Sequence, residues 1–235
     1  MESEKNSSLY KNWHQFKCIN ANTNTTTISV LLENIDGYIR RGEIIKAGRA
    51  TTVAVVSIGS NDMVQNFFVK RYNSKGFFYS LFRSIIPSRA LIAWKASWLL
   101  KSVGIPTPSP LAILEKRWGP IKWESYIIYD FYPEAIHASR FFLEGAQPTE
   151  MWPSVAKKII NILTLLKKNK IIHGDLKAQN FIISNNNPLL VDLDSLKQIK
   201  NINVFNKYHK KDIKRFKKNW IKNKKTGLLF KYLLK

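Results

Sequence analysis

The segment from Ile171 to Asp194 constrains this chain more than any other. The polar residues His173, Gly174, Asp175, Lys177 and Asn180 are strung between the apolar runs Ile171-Ile172, Phe181-Ile182-Ile183 and Leu189-Leu190-Val191, and Asp192 follows the last run, twelve positions after Asn180. Short apolar runs bounded by turn residues such as Asn185-Asn186-Asn187-Pro188 predict buried strands. The polar loop is therefore pinned between strands rather than free in solvent. Asp175 can accept a proton from a hydroxyl, and Asn180 and Asp192 offer hard oxygens of the kind that Mg²⁺ takes.

That set and spacing fit the protein-kinase pattern HRDLxxxN followed by DFG, with Gly174 in place of the Arg and Asp192-Leu193-Asp194 in place of DFG. Asp, Gly and Asn are also ordinary turn residues, so a polar hairpin is the competing reading. The joint spacing favours a phosphotransferase. On the nucleotide side, Lys70 closes the apolar run FFVK, where a strand-end ammonium either reaches phosphates or exits to water. Lys46-Ala47-Gly48-Arg49-Ala50 is the candidate phosphate-covering turn, with the single Gly48 where the kinase pattern has three glycines; an ordinary hairpin turn is the alternative. No Asp or Glu lies between Asp62 and Glu115, so the acid that normally pairs with the strand Lys is missing from the helix that follows. Glu115, Asp192 or the phosphates themselves remain as countercharges.

The 235 residues suffice for one domain or two closely packed lobes. The single Cys18 excludes an internal disulfide framework, and Cys and His are too few for a structural zinc site. The N-terminus has neither a basic nor an apolar leader region, and no run of about 18 apolar residues occurs, so a cytoplasmic setting is expected. The net charge is +22, of which residues 196–235 carry +13, from fourteen Lys or Arg against Asp212 alone. Such a surface seeks phosphates; the alternative is a solvated helix face.

Residues 1–36 read as an N-terminal extension with polar turns. Tyr38-Ile39, Ile44-Ile45, Thr51–Val56 and Phe67–Lys70 predict strands of a small antiparallel sheet, joined later by Ile113-Leu114 and Tyr126–Tyr129. Ser88–Val103 predicts a helix ended by Gly104, with Pro106 and Pro108 barring its continuation. Met151–Lys168 predicts another, burying Val155, Ile159, Ile162, Leu163 and Leu166. The expected fold is α+β and two-lobed: a sheet-based N-lobe over residues 37–130 and a mainly helical C-lobe over 131–235, with nucleotide between them and a linker near Tyr129–Pro133.

FVKRY at 68–72, SRALIAW at 88–94, GIPTPSPLAILEKRWGP at 104–120 and HGDLKAQNFIIS with LLVDLDSLK resemble the bacterial lipopolysaccharide kinase family of the Kdo/WaaP type, over most of residues 38–218. The resemblance implies a protein-kinase-like fold that uses ATP and Mg²⁺ to phosphorylate a Kdo or heptose sugar of the lipid A inner core. It implies Lys70 and, loosely, Gly48 as nucleotide-binding residues, Asp175 as the catalytic Asp, and Asn180 and Asp192 as metal ligands. Many members carry a Glu where this chain has Ala93.

Lys177, two residues beyond the base, is placed to neutralise the moving phosphoryl group, and His173 to organise the loop through hydrogen bonds. The implied acceptor is a lipid A-core glycolipid at the inner face of the inner membrane, with the basic tail against the anionic surface and no nucleic acid as partner. In the tail, Ile213, Phe216 and Trp220 recur at helical spacing opposite Lys210, Lys211, Lys214, Lys217 and Lys218, so the apolar stripe either packs on the large lobe or lies on the interface. Asp212 is either a helix cap or a brace beneath the catalytic loop. The competing functions are a kinase of a protein or small-molecule alcohol, and a non-catalytic pseudokinase or nucleic-acid-binding module.

Overall fold

A computed structural model describes residues 7–59, 64–74, 76, 81, 84–142, 148–220 and 224–231. Residues 1–6 of the expected extension, and 221–223 and 232–235 of the basic tail, lie outside the described residues. The chain divides into two compact units, Met1–Trp98 with Ser109–Phe131, and Leu99–Pro108 with Tyr132–Lys235.

The first unit is built on a seven-stranded antiparallel sheet in the order β1-β2-β6-β7-β5-β4-β3. The strands are β1 (Ser7–Lys11), β2 (Gln15–Asn20), β3 (Glu43–Ala47), β4 (Thr51–Ile58), β5 (Gln65–Tyr72), β6 (Pro110–Trp118) and β7 (Ile121–Asp130). Both faces are covered. On one, helices α1 (Thr25–Glu33) and α2 (Ile35–Arg41) bring Ile28, Leu31, Ile35 and Ile39 against Ala54, Val56, Val69 and Ile128. On the other, helix α3 (Arg89–Ser102) brings Ala90, Ala93 and Trp94 against Tyr72, Ile113 and Ile127. Burial on two faces explains why Tyr126-Ile127-Ile128 is continuously apolar instead of alternating, each residue being 0% exposed.

Residues 7–36 are not an extension of polar turns. β1 and β2 prolong the sheet beyond β6, with Cys18 paired to Ile113, and the Thr-rich stretch opens α1 behind an Asn24 cap that accepts from the Thr27 amide at 3.2 Å. Tyr38-Ile39, expected as strand, is helical: Asn34 caps α2 by accepting from the Gly37 amide, and Ile35 and Ile39 share the face that meets the sheet. Amide-capped helices rich in Thr, Ile and Tyr carry β-prone composition, which hid both from a reading by propensity.

The second unit contains the carboxyl end of α3, then β8 (Ile136–His137), α4 (Ala138–Phe141), α5 (Trp152–Lys168), β9 (Ile171–Ile172), β10 (Phe181–Ser184), β11 (Asn187–Leu190), β12 (Lys197–Gln198), α6 (Ile202–Lys218) and α7 (Lys224–Leu229). Helix α5 buries the five residues its periodicity selects, with Trp152 and Ala156. Phe142, Phe181, Phe216, Trp220 and Phe230 form an edge-to-face and stacked aromatic core. Phe216 and Trp220 are thus spent on internal packing, and the apolar stripe of the tail helix belongs to the core rather than to an interface.

At the end of α3, Gly104 has φ +74°, its amide bonds to the Lys101 carbonyl and the Ile105 amide to the Leu100 carbonyl, the Schellman arrangement. The chain leaving it is tied to β11: the Leu190 amide donates to the Pro106 carbonyl at 2.9 Å and the Thr107 hydroxyl to the Leu190 carbonyl at 2.8 Å.

In the first unit, Asp36 at the start of α2 accepts from Arg71, Lys116 and the Tyr126 hydroxyl. Burial opposes its charge, but the bonds from Lys116 and Arg71 outweigh that and hold its carboxyl below the usual range. A depressed carboxylate stabilises the fold above its unfolded pKa and loses that contribution as pH falls through the folded value. Asp36→Asn should lower stability at pH 7 by about 1–3 kcal/mol in urea denaturation, with the gap to the parent protein closing once the medium falls below about pH 4.

Candidate active site

Strand β9 is buried and paired to β12, and it delivers the loop 173–180 into the second unit. The loop backbone is held from beneath. Asp212, 4% exposed within α6, accepts through one carboxylate oxygen from the amides of His173 (2.9 Å) and Gly174 (3.0 Å). Its place in the helix interior excludes a capping role and makes it the brace. Asn219, just past α6, accepts from the Ala178 amide at 3.2 Å and donates to the Arg215 carbonyl.

His173 is fully buried and donates from Nε2 to the Val191 carbonyl at 2.9 Å. Burial keeps its pKa below the usual value, against the Val191 carbonyl and the carboxylates of Asp212, Asp192 and Asp175, which favour the charged form. A neutral ring donating to a carbonyl is a scaffold group, as the sequence suggested. The other side of the same peptide segment is held by Asn180, whose carbonyl accepts from the Val191 amide at 2.9 Å. Val191 is therefore clamped by two loop residues, and Asp192 emerges directly after it.

Asp192 adopts a left-handed conformation, φ 65° and ψ 54°. A non-glycine residue pays about 1 kcal/mol or more to stay there, and the fixed neighbours on both sides hold it. Gly174 also has positive φ, +87°, and a Cβ at that position would meet the Ser195 carbonyl at 3.0 Å. Glycine is required at the position that the kinase pattern writes as Arg.

Asn180 is 4% exposed and donates through Nδ2 to the Asp175 carbonyl at 2.8 Å, which leaves Oδ1 as its acceptor end. One amide oxygen and one carboxylate, Asp192, are a hard-oxygen pair suited to Mg²⁺, an ion that keeps most of its shell for phosphate oxygens and water. Asp175 projects outward, with Lys177 Nζ 2.8 Å from one oxygen and Arg215 Nη1 3.4 Å from the other. Arg215 also donates to the Gly174 carbonyl at 2.6 Å. The structure thus brings Asp175, Lys177, Asn180 and Asp192 onto one hydrogen-bonded frame.

Lys70 and Gly48 belong to the first unit. Lys70 is mid-sheet, paired to Val53 on one side and Ile127 on the other, with its ammonium 5.0 Å from the centre of the Tyr72 ring. Gly48 sits in the β3–β4 hairpin, where its amide bonds to the Thr51 carbonyl and its carbonyl accepts from Asn73. A Cβ there would meet nothing nearer than 3.4 Å, so this turn does not demand glycine. Glu115, one of the countercharges offered for Lys70, is fully buried and engaged by the Ser88 hydroxyl and by Arg117.

Sequence reasoning missed Arg215 and Asn219 as parts of this site and left Asp212 undecided. The available signal was Asp212 itself, a lone acid among fourteen bases. Helical spacing then puts Arg215 and Asn219 on the same side.

No protein-family model and no curated protein matches the chain. Among solved structures, that of WaaP in complex with acyl carrier protein aligns with a TM-score of 0.61 over 84% of this chain and 79% of that one, at 14% identity. The fold is the α+β, two-lobed, protein-kinase-like one. Within that class it is similar to WaaP, and at this identity the likeness is one of fold.

Asp212→Ala should leave two loop amides without their acceptor and cost about 2–4 kcal/mol, whereas Asp212→Asn, which keeps an accepting oxygen, should cost less. Hydrogen exchange at the His173 and Gly174 amides, read beside a denaturant melt, checks both.

Proposed function

We propose that this protein is an ATP-dependent phosphotransferase acting on a sugar hydroxyl, Kdo or heptose, of the lipopolysaccharide inner core. The observation that carries the phosphotransfer reading is the single frame linking Asp175, Asn180 and Asp192 through His173, Val191 and Asp212. Asp175 orients the acceptor hydroxyl and takes its proton as the oxygen bonds to the γ-phosphorus, while the bond to the ADP leaving oxygen breaks. Lys177, beside that carboxylate, balances charge on the transferring group. Asn180 and Asp192 would hold Mg²⁺, which when bound draws charge from the phosphates. Lys70, and more loosely the Gly48 turn, are assigned to the nucleotide.

The glycolipid acceptor and the membrane surface rest on two supports, the sequence resemblance and the basic tail. Helix α6 buries Phe205 and Phe216 and exposes Lys207, Lys210 and Lys214 on the opposite side. No helix among the described residues is long and apolar enough to cross a membrane. A peripheral electrostatic contact of α6 with the anionic inner face is the corresponding proposal.

Asp175→Ala should abolish transfer of labelled phosphate from ATP to lipid A-core acceptor, a loss of about a thousandfold or more. Its melting curve should stay close to the parent's, since exposed ion pairs contribute about 0–1 kcal/mol. Mass spectrometry of the core from cells with and without the gene should differ by one phosphate; an unchanged core refutes the acceptor. Replacing Lys207, Lys210 and Lys214 together by Gln should weaken sedimentation with phosphatidylglycerol vesicles by about tenfold or more, an effect that salt should erase in the parent protein.

A further inference from the structure

Arg215 is placed where the reaction scheme above has no use for it. It comes from α6, far along the chain from the loop, yet its Nη1 reaches the Gly174 carbonyl at 2.6 Å and Asp175 at 3.4 Å, with Asp212 at 4.0 Å. Asp212 does not need this cation, because the two loop amides already engage its carboxylate. Asp175 does not need a second one, because Lys177 lies 2.8 Å from its other oxygen. The Arg215 side chain is nonetheless 46% exposed, and among the described residues its Nε and Nη2 have no protein partner. These are the two donors that, as a parallel fork, fit a phosphate or carboxylate.

The helix extends the same chemistry along one flank. Lys211 and Lys218 stand four residues before and three after Arg215, about 6 Å and 4.5 Å along the axis, as its helical neighbours. Both are exposed, and Lys211 rests against the Tyr208 ring at 5.5 Å. The pair adjoins Lys207 and Lys214, which turn further from Arg215. Cations in excess of the local carboxylates, beside a base that must receive a hydroxyl, attract an acceptor that brings its own negative charge.

We infer that Arg215, flanked by Lys211 and Lys218, is an oxyanion subsite that binds a phosphate or carboxylate carried by the acceptor, close to the hydroxyl presented to Asp175. The inference rests on the reading of Asp175 as the base. The subsite selects acceptors that are already anionic and orients them by a bidentate contact, while the flanking lysines add attraction along the helix. It differs from a general membrane contact in being centred on one guanidinium beside the catalytic carboxylate.

Equilibrium binding separates these possibilities without requiring turnover. The probes are Kdo-bearing lipid A in neutral detergent micelles, the same glycolipid after phosphatase treatment and reduction of its Kdo carboxyl groups, and phosphatidylglycerol in the same micelles. The parent protein should bind the phosphorylated, carboxylated form about tenfold or more tightly than the neutral form. Arg215→Ala should erase that preference, and Arg215→Lys, which keeps charge without the fork, should keep part of it. Binding to phosphatidylglycerol should fall by less than about twofold in either variant, with circular dichroism checking that the fold is intact. Equal binding of both glycolipid forms by the parent, or an undiminished preference in Arg215→Ala, overturns the subsite. So does an equal loss for phosphatidylglycerol, which would make Arg215 part of a surface contact. Because these are binding measurements, absence of transfer activity would count against the kinase reading alone.

Discussion

One carboxylate oxygen of Asp212 accepting the amides of His173 and Gly174 is the contact on which the rest of the site depends. Two backbone donors in succession, the first on the buried His173, find their acceptor in a side chain rather than in a strand partner. Once they are fixed, His173 is aimed at Val191, Asn180 is aimed at the Asp175 carbonyl, and the Val191 peptide is gripped from both sides. Asp192 can then be held in a backbone region that it would otherwise leave. A single buried acid on a helix therefore determines where the side chains of Asp175, Asn180 and Asp192 stand.

The first unit solves a different problem, that of keeping one lysine in place without an acid on the neighbouring helix. Lys70 occupies a central strand of a sheet covered on both faces, bonded on each side and close to Tyr72, on whose ring Arg89 also sits at 4.6 Å from the centroid. The ladder fixes the Lys70 backbone on both sides, and the ammonium lies 5.0 Å from the centre of the Tyr72 ring. The next acid along the chain, Glu115, instead ties the start of α3 to β6 through Ser88, whose hydroxyl also accepts from the Leu91 amide as a helix cap.

Much of this was legible beforehand because the informative residues were locally unusual. His173, Asp175, Asn180 and Asp192 interrupt apolar strands, Gly104 and the prolines behind it punctuate a helix, and α5 shows its buried face at a regular 3.6-residue period. What stayed hidden depended on tertiary pairing. The Thr-rich and Ile-rich segments of α1 and α2 have strand-like or loop-like composition, and only their Asn caps and their packing on the sheet make them helical. Asp212, Arg215 and Asn219 act on a loop some forty residues earlier, and no periodicity in the tail shows which loop a charged helix will meet. The apolar stripe of α6 suited a core or an interface equally until Phe216 and Trp220 were seen inside an aromatic cluster.

The brace and the loop it holds also lie in a particular order along the chain. A ribosome releases residues 171–192 well before Asp212 and Asn219, so the loop emerges complete in sequence but without its acceptors. During that interval its amides face water and Asp192 has no reason to keep its left-handed backbone. The loop therefore cannot take up its braced geometry until α6 has formed and docked. The order of synthesis thus makes the geometry of the loop wait for a helix that is made after it.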